Sequence, residues 1–361
     1  MQGFSIIEIM VGLIIGLLTL LAIYQLYTTS EGRRRTVTSV SQAQSAGSMA
    51  LFAIERDIRS AGIGFSTLDS TAFGCTVAAS NSSLSPGEFQ FPLVPVRIVN
   101  GKKIWVLTGT SGNMFAGARY ASSASGEFQM EKSNAGFQPG DVIVGTSDSN
   151  PSECLLMETT RGAGTMVSTS NPAAPAVYQG VAHGLGSYTH FYTGSTVTAT
   201  RNGGSKSNML NAGLGEGSLY SLGPSPSLHV WSLENNQLMR YNALNETEAS
   251  KVLVAKDVID LVAEYGYDVN DNGKIDQANE WRSDLSAISP LKWERVIAVR
   301  IAVLVRSSHF ERDEVTPVQP KWSNGNKTFN MGGAGEDWKH YRYRVYESVI
   351  PLRNTIWGQM S

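Results

Sequence analysis

The chain carries only two cysteines, Cys75 and Cys154, in 361 residues, so it can form one disulfide at most. Its five histidines, His183, His190, His229, His309 and His340, are scattered with no paired spacing for zinc. No proline precedes Pro86, so ring geometry breaks no helix in the first 85 residues. Charge of neither sign is in excess: 29 Lys and Arg face 31 Asp and Glu, a formal net charge of −2, with no general basic bias towards nucleic acid. Catalytic motifs are missing as well. There is no G-x-S-x-G elbow, and Gly203-Gly204-Ser205-Lys206-Ser207 lacks the glycine spacing of a phosphate loop. Gly213, Gly215 and Gly217 read as a flexible turn, because no strand-to-helix unit follows them. The expectation is a chain without enzyme activity or a small-molecule substrate.

Phe4 to Leu26 is a run of 23 residues with one formal charge, Glu8. A span of that length crosses a bilayer as a helix, and a carboxylate inside it costs a few kcal/mol unless something pairs with it. The plain alternative is a signal anchor whose Glu8 stays wet at the interface. Counting Phe4 as the first residue, Glu8 is the fifth, and the string Gly3-Phe4-Ser5-Ile6-Ile7-Glu8 resembles the N-terminal processing motif of type IV prepilins. That resemblance implies cleavage after Gly3 by prepilin peptidase, a membrane-embedded aspartyl enzyme, and methylation of the new N-terminal Phe4. Cleavage would leave an α-amine at the membrane face, to be neutralised by the Glu8 carboxylate of a neighbouring subunit. A buried charge pair adds little net stability, but it fixes register, since a misplaced neighbour leaves both charges uncompensated. Glu8 is thus expected to be an assembly residue. One departure stands out. The leader Met1-Gln2-Gly3 lacks the Lys and Arg of family leaders, while Arg33-Arg34-Arg35 lies on the other side of the span, against the positive-inside tendency. The start codon is therefore expected further upstream.

The helix is expected to continue past the interface. Val37, Val40, Gly47, Leu51, Ile54 and Ile58 recur at spacings of three, four and seven, interrupted by Gln44, and make a stripe on one face. Gly62 and Gly64 supply stop signals. A helix from about residue 5 to 60 would be roughly 80 Å long, with residues 4–26 in lipid and the remainder against a head formed by residues 61–361. Glu55, Arg56, Asp57 and Arg59 near its end read as solvated charges rather than a binding patch.

Beyond Gly64 the pattern changes to period two. Lys103 to Leu107, Asp141 to Val144 and Cys154 to Met157 read as short strands. Leu228 to Leu233, a turn at Asn235-Asn236, and Leu238 to Tyr241 make a hairpin. Val296 to Arg306 is the strongest strand, with Ile297, Val299, Ile301, Val303 and Val305 on a core face and the other face partly exposed. Residues 163–223, rich in Gly, Ser, Thr and Asn, read as a flexible surface excursion. The seven tryptophans, Trp105, Trp231, Trp281, Trp293, Trp322, Trp338 and Trp357, are expected in the core, on sheet faces or, in a few cases, at a subunit contact. In an exported chain, Cys75 and Cys154 most simply form a disulfide, the alternative being two free buried thiols. The fold class is α+β: a long N-terminal helix packed on an antiparallel β head.

This order resembles the PilW-type minor pilins. The resemblance rests on Glu55-Arg56-Asp57-Ile58-Arg59-Ser60-Ala61-Gly62, Gly140-Asp141-Val142-Ile143-Val144, Val258-Ile259-Asp260-Leu261 leading into Tyr265-Gly266-Tyr267-Asp268, Val299-Arg300-Ile301 through Arg306-Ser307, and Val349-Ile350-Pro351-Leu352-Arg353-Asn354. It implies a minor pilin that helps to initiate type IV pilus assembly in a tip complex, supporting twitching motility and adhesion. Its implied partners are other minor pilins, the major pilin, a tip adhesin, prepilin peptidase and the bacterial inner membrane. Before assembly the chain would be single-pass with a periplasmic head, and afterwards part of the pilus. The rival readings are a J-type pseudopilin of type II secretion and a membrane-anchored binding protein that never polymerises.

One motif suggests a cofactor. Asp268-Val269-Asn270-Asp271-Asn272-Gly273-Lys274-Ile275-Asp276 matches the first nine positions of a calcium loop. Asp268, Asn270, Asn272 and Asp276 supply side-chain oxygens at positions one, three, five and nine, Lys274 its carbonyl at seven, and Gly273 the sharp turn. Position twelve is Asn279, and the closing carboxylate, Glu280, comes one residue late. Calcium is the expected ion, and an Asp/Asn/Gly turn without metal is the alternative.

Overall fold

The computed structural model describes residues 6–65, 72–111, 117–124, 126–131, 136–167, 177–204 and 215–354. Gly3, Phe4 and Ser5, on which the processing motif depends, lie outside them, as does Trp357.

With no proline or glycine pair to interrupt it, Ile6–Ser60 forms one helix of 55 residues, α1, about 80 Å long. Gly62 ends it at φ 86°, a conformation that only glycine adopts without strain, and donates its N–H to Leu107 O at 3.0 Å. The buried face of α1 consists of Ser39, Ala43, Gly47, Ala50, Ile54 and Ile58. Gly47, Ile54 and Ile58 of the expected stripe lie on it, but the face is otherwise rotated: Val37 is 68% exposed, and Val40 and Leu51 are only half-buried. Backbone proximity is the reason. An ideal Cβ on Gly47 would stand 2.2 Å from the Tyr346 ring, so at that level α1 approaches the sheet through small residues, Ala43 and Ala50 among them.

Among the described residues the head is built on three main sheets. A four-stranded sheet runs Trp281–Arg282, Val258–Tyr267, Val296–Arg306, Tyr343–Pro351. A five-stranded sheet runs Val252–Lys256, Gln237–Asn242, Ser227–Glu234, Lys103–Thr108, Val96–Val99. The upper half of α1 shares one core with these two sheets, centred on Ile54, Ile58, Trp231, Leu261, Val299, Ile301, Val303 and Ile350. The hairpin turns at Asn235 and Asn236, both at positive φ, as its sequence foretells.

Val296–Arg306 is more enclosed than its alternation suggests. Its second face, expected to be partly exposed, buries Ala302 and Leu304 against Trp322 and Phe329. Arg300, its side chain largely buried on that face, stacks its guanidinium 4.7 Å from the Trp281 ring and 5.2 Å from Trp322, and ion-pairs with Glu264, which Lys327 also reaches. Two tryptophans and a shared carboxylate thus fasten the 321–328 hairpin over the strand.

The third sheet has nine strands, in the order Glu88–Pro92, Thr76–Ser80, Glu153–Glu158, Val142–Ser147, Gly217–Gly223, Ala118–Ala124, Glu127–Met130, Val177–Ala182, Arg161–Val167. Residues 163–223, expected to hold little regular structure, supply two of these strands whole, Val177–Ala182 and Gly217–Gly223, and most of Arg161–Val167. Gly217 is a packing residue rather than part of a turn: a Cβ there would stand 2.0 Å from Thr146 O. Pairing is antiparallel except between Thr76–Ser80 and Glu153–Glu158, which run parallel with Val77 opposite Cys154. The Cys75–Cys154 disulfide closes this pair across 79 residues. By the chain-entropy account, a loop of that length adds about 4–5 kcal/mol of stability through the unfolded state.

Candidate functional site

Two features concentrate chemistry that folding alone does not explain: the length of α1 and the acidic loop after Tyr267.

From Ile6 to Tyr27 the large apolar side chains of α1 are exposed all round, and no described part of the head covers them. Among the described residues, α1 is the one helix long and apolar enough to cross a membrane. Glu8 sits in its first described turn, exposed, where the positive end of the helix dipole favours a carboxylate.

The upper half is clamped to the head. Tyr346 lies on Gly47 and donates its hydroxyl to Gln44 O at 3.0 Å. At the other end, Asn354 donates its side-chain amide to Ala61 O at 2.9 Å. Between them, Oδ2 of Asp57 lies 2.8 Å from Nδ1 of His229 and accepts the indole N–H of Trp231 at 3.0 Å. Trp231 is fully buried, with the Arg240 guanidinium 5.6 Å from its ring. Asp57 is therefore no solvated helix-end charge. Glu55 and Arg59 pair with one another and Arg56 is exposed, as expected of such charges. The sequence did hold a signal: Ala50, Ile54, Asp57 and Ala61 follow one another at spacings of four, three and four, which puts Asp57 on the buried face.

In the loop, Asp268 and Glu280 are brought together around the same turn, while Asn270, Asn272, Lys274 and Asp276 are exposed. Asp268 accepts the N–H of Asn272 at 3.2 Å and of Gly273 at 2.6 Å, and Glu280 those of Val269 at 3.3 Å and of Asp276 and Gln277 at 2.8 Å. A 3-10 turn at Ala278–Glu280 absorbs the one-residue delay and swings Glu280 inward. Ile275 packs on Gly266 and ties the loop to the strand before it. Asn272 donates its side-chain amide to Asp276 at 3.1 Å, and Asp271 turns outward to Arg295 at 2.6 Å. The oxygens suit a hard cation, and neither buried carboxylate has an ion-pair partner among the described residues. No group of three or more His, Cys, Asp and Glu placed to hold a metal ion is found among them.

The part of the head that holds α1 has a relative. Residues 227–354 match the model of the type IV pilus-assembly protein W family. The matched segment carries the acidic loop and, with His229, Trp231, Val296–Arg306 and Tyr346, most of the surface gripping α1. The match supports a type IV pilus-related family and involvement in pilus assembly. No curated protein and no solved structure matches the chain.

Proposed function

We propose that this chain is a minor pilin that helps to initiate assembly of a type IV pilus and sits in the tip complex with other minor pilins, the major pilin and a tip adhesin. The observation that carries this reading is the division of α1: one half bare and apolar all round, the other half held by the segment that matches the pilus-assembly family. A bare apolar helix suits two successive surroundings, the inner membrane and a filament core made of the same helices. The head contributes the periplasmic body and no reaction. Prepilin peptidase would cut after Gly3 and leave a methylated Phe4, whose amine meets the Glu8 carboxylate of a neighbour. Pilus biogenesis, and through it twitching motility and adhesion, would depend on this subunit.

Mass spectrometry of the mature N-terminus tests the reading most directly: a methylated Phe4 is expected, and an intact Met1 would overturn it. Glu8→Ala is expected to reduce pilus number and copurification of partner pilins. Unchanged values for both would instead favour an anchored protein that does not polymerise.

A second reading concerns the loop. Two buried carboxylates without an ion-pair partner among the described residues support occupation by calcium, with Asp268, Asn270, Asn272, the Lys274 carbonyl, Asp276 and Glu280 as the donor set. Calorimetry on a chain lacking the first 30 or so residues should detect calcium binding that Asp268→Ala removes; no heat from the parent chain would reject it.

A further inference from the structure

We propose that Arg33 and Arg34 bind the phosphates of anionic phospholipids on the membrane side that carries the head. This rests on the reading of Phe4 to Leu26 as a membrane span. The geometry of α1 sets the depth of the two arginines. Tyr24 and Tyr27, both exposed, close the apolar run where an interfacial aromatic belt belongs. Arg33 and Arg34 follow six and seven residues after Tyr27, which on a continuous helix is about 10 Å further out. The headgroup layer occupies roughly 5–7 Å on each side of the hydrocarbon. Helical side chains lean towards the N-terminus, here back towards the membrane, so both guanidinium groups return to headgroup level.

Nothing among the described residues competes for them there. The buried residues of α1 begin at Ser39, so the arginines lie in the interval between bilayer and head. Arg35 is held by Glu31 at 3.0 Å, whereas Arg33 and Arg34 have no ion-pair partner among the described residues. The hydroxyls of Thr28 and Thr29 are turned back onto Gln25 O at 3.0 and 2.8 Å and do not reach the arginines. Successive helical positions are about 100° apart, so the pair opens two directions around the helix, and each fork matches a phosphate bidentately. Two arginines bound to lipid would fix the depth of the span and resist its withdrawal from the membrane.

The test uses the full-length chain in mixed micelles of phosphatidylglycerol and phosphatidylcholine, with retained lipid counted by native mass spectrometry. Phosphatidylglycerol should be enriched by roughly fivefold per arginine at low salt, and the enrichment should collapse in high salt. Arg33→Gln/Arg34→Gln, two exposed changes that leave the helix intact, should bring the ratio to about one, while Arg33→Lys/Arg34→Lys should keep most of it. Equal retention of the two lipids by the parent chain, or an enrichment unchanged by the glutamines, would overturn the proposal and favour an acidic protein surface as the partner. If the parent chain fails to float with vesicles of either lipid, the span itself is wrong and the proposal falls with it.

Discussion

His229 on the Ser227–Glu234 strand places its Nδ1 2.8 Å from Oδ2 of Asp57 on α1, joining helix and head across 172 residues of sequence. The same oxygen satisfies the indole of the fully buried Trp231. Asp57→Ala would leave that indole N–H without an acceptor, and the cost should be about 1–3 kcal/mol. Asp57→Asn, which keeps one acceptor oxygen, should cost less. Urea unfolding of the full chain in detergent checks both; an alanine variant as stable as the parent would return Asp57 to the class of solvated helix-end charges.

Gly47 has no room for a methyl group while Tyr346 keeps its place. Gly47→Ala should therefore destabilise the chain by about 1–3 kcal/mol, although alanine is the better helix former. In a Tyr346→Ala background, which carries its own loss of packing, the cost of Gly47→Ala should shrink, because the obstacle is gone and the helical preference of alanine remains. A double-mutant cycle in the same unfolding assay gives the coupling, and additive effects would mean that the ring simply rotates away.

His183 is buried against Phe128, its Nε2 without a hydrogen-bond partner among the described residues, and burial pulls its pKa down to about 4. The folded chain holds this ring neutral, so between about pH 6.5 and 4 the unfolded chain binds the extra proton. Stability should fall as pH is lowered through that window, by up to about 3 kcal/mol from this group, and lose nothing more from it below pH 4. His183→Leu should flatten that part of the profile, and thermal melts of both proteins across the window measure the difference.

The acidic loop predicts a linkage effect. At millimolar free calcium, a site of the affinity typical of extracellular modules adds about 1 kcal/mol of stability. The melting temperature should rise with calcium, return on chelation, and become insensitive to calcium in Glu280→Gln. A melting temperature equal in calcium and chelator would leave the loop as a turn held by its own backbone.

Features written in hydrophobic periodicity or turn chemistry were legible in the sequence. Val296–Arg306 and the hairpin at Asn235-Asn236 follow from alternation and from residues that tolerate positive φ. The extent of α1 follows from the absence of proline and from Gly62. Closely packed features were harder to see. Beside Gly47, the face that α1 buries includes Ser39, Ala43 and Ala50, because a helix nearing a sheet needs small residues there, and an apolar count passes over these three. Gly217–Gly223 looks like loop composition because Gly217 and Ser218 disguise Leu219, Tyr220 and Leu222, which fill the core. Asp57 carries a formal charge, and only its place within the buried stripe gives away its partners.

The last long strand, Tyr343–Pro351, runs beside α1 in the same direction: Tyr346 meets the helix at Gln44 and Asn354 meets it at Ala61. Over that interval the helix advances about 25 Å and the strand about as far. A pull along the axis of α1 therefore loads this seam in shear, so the hydroxyl of Tyr346 and the amide of Asn354 bear the force together instead of parting one after another. A subunit drawn out of a membrane by its helix would bring its head along as rigid cargo.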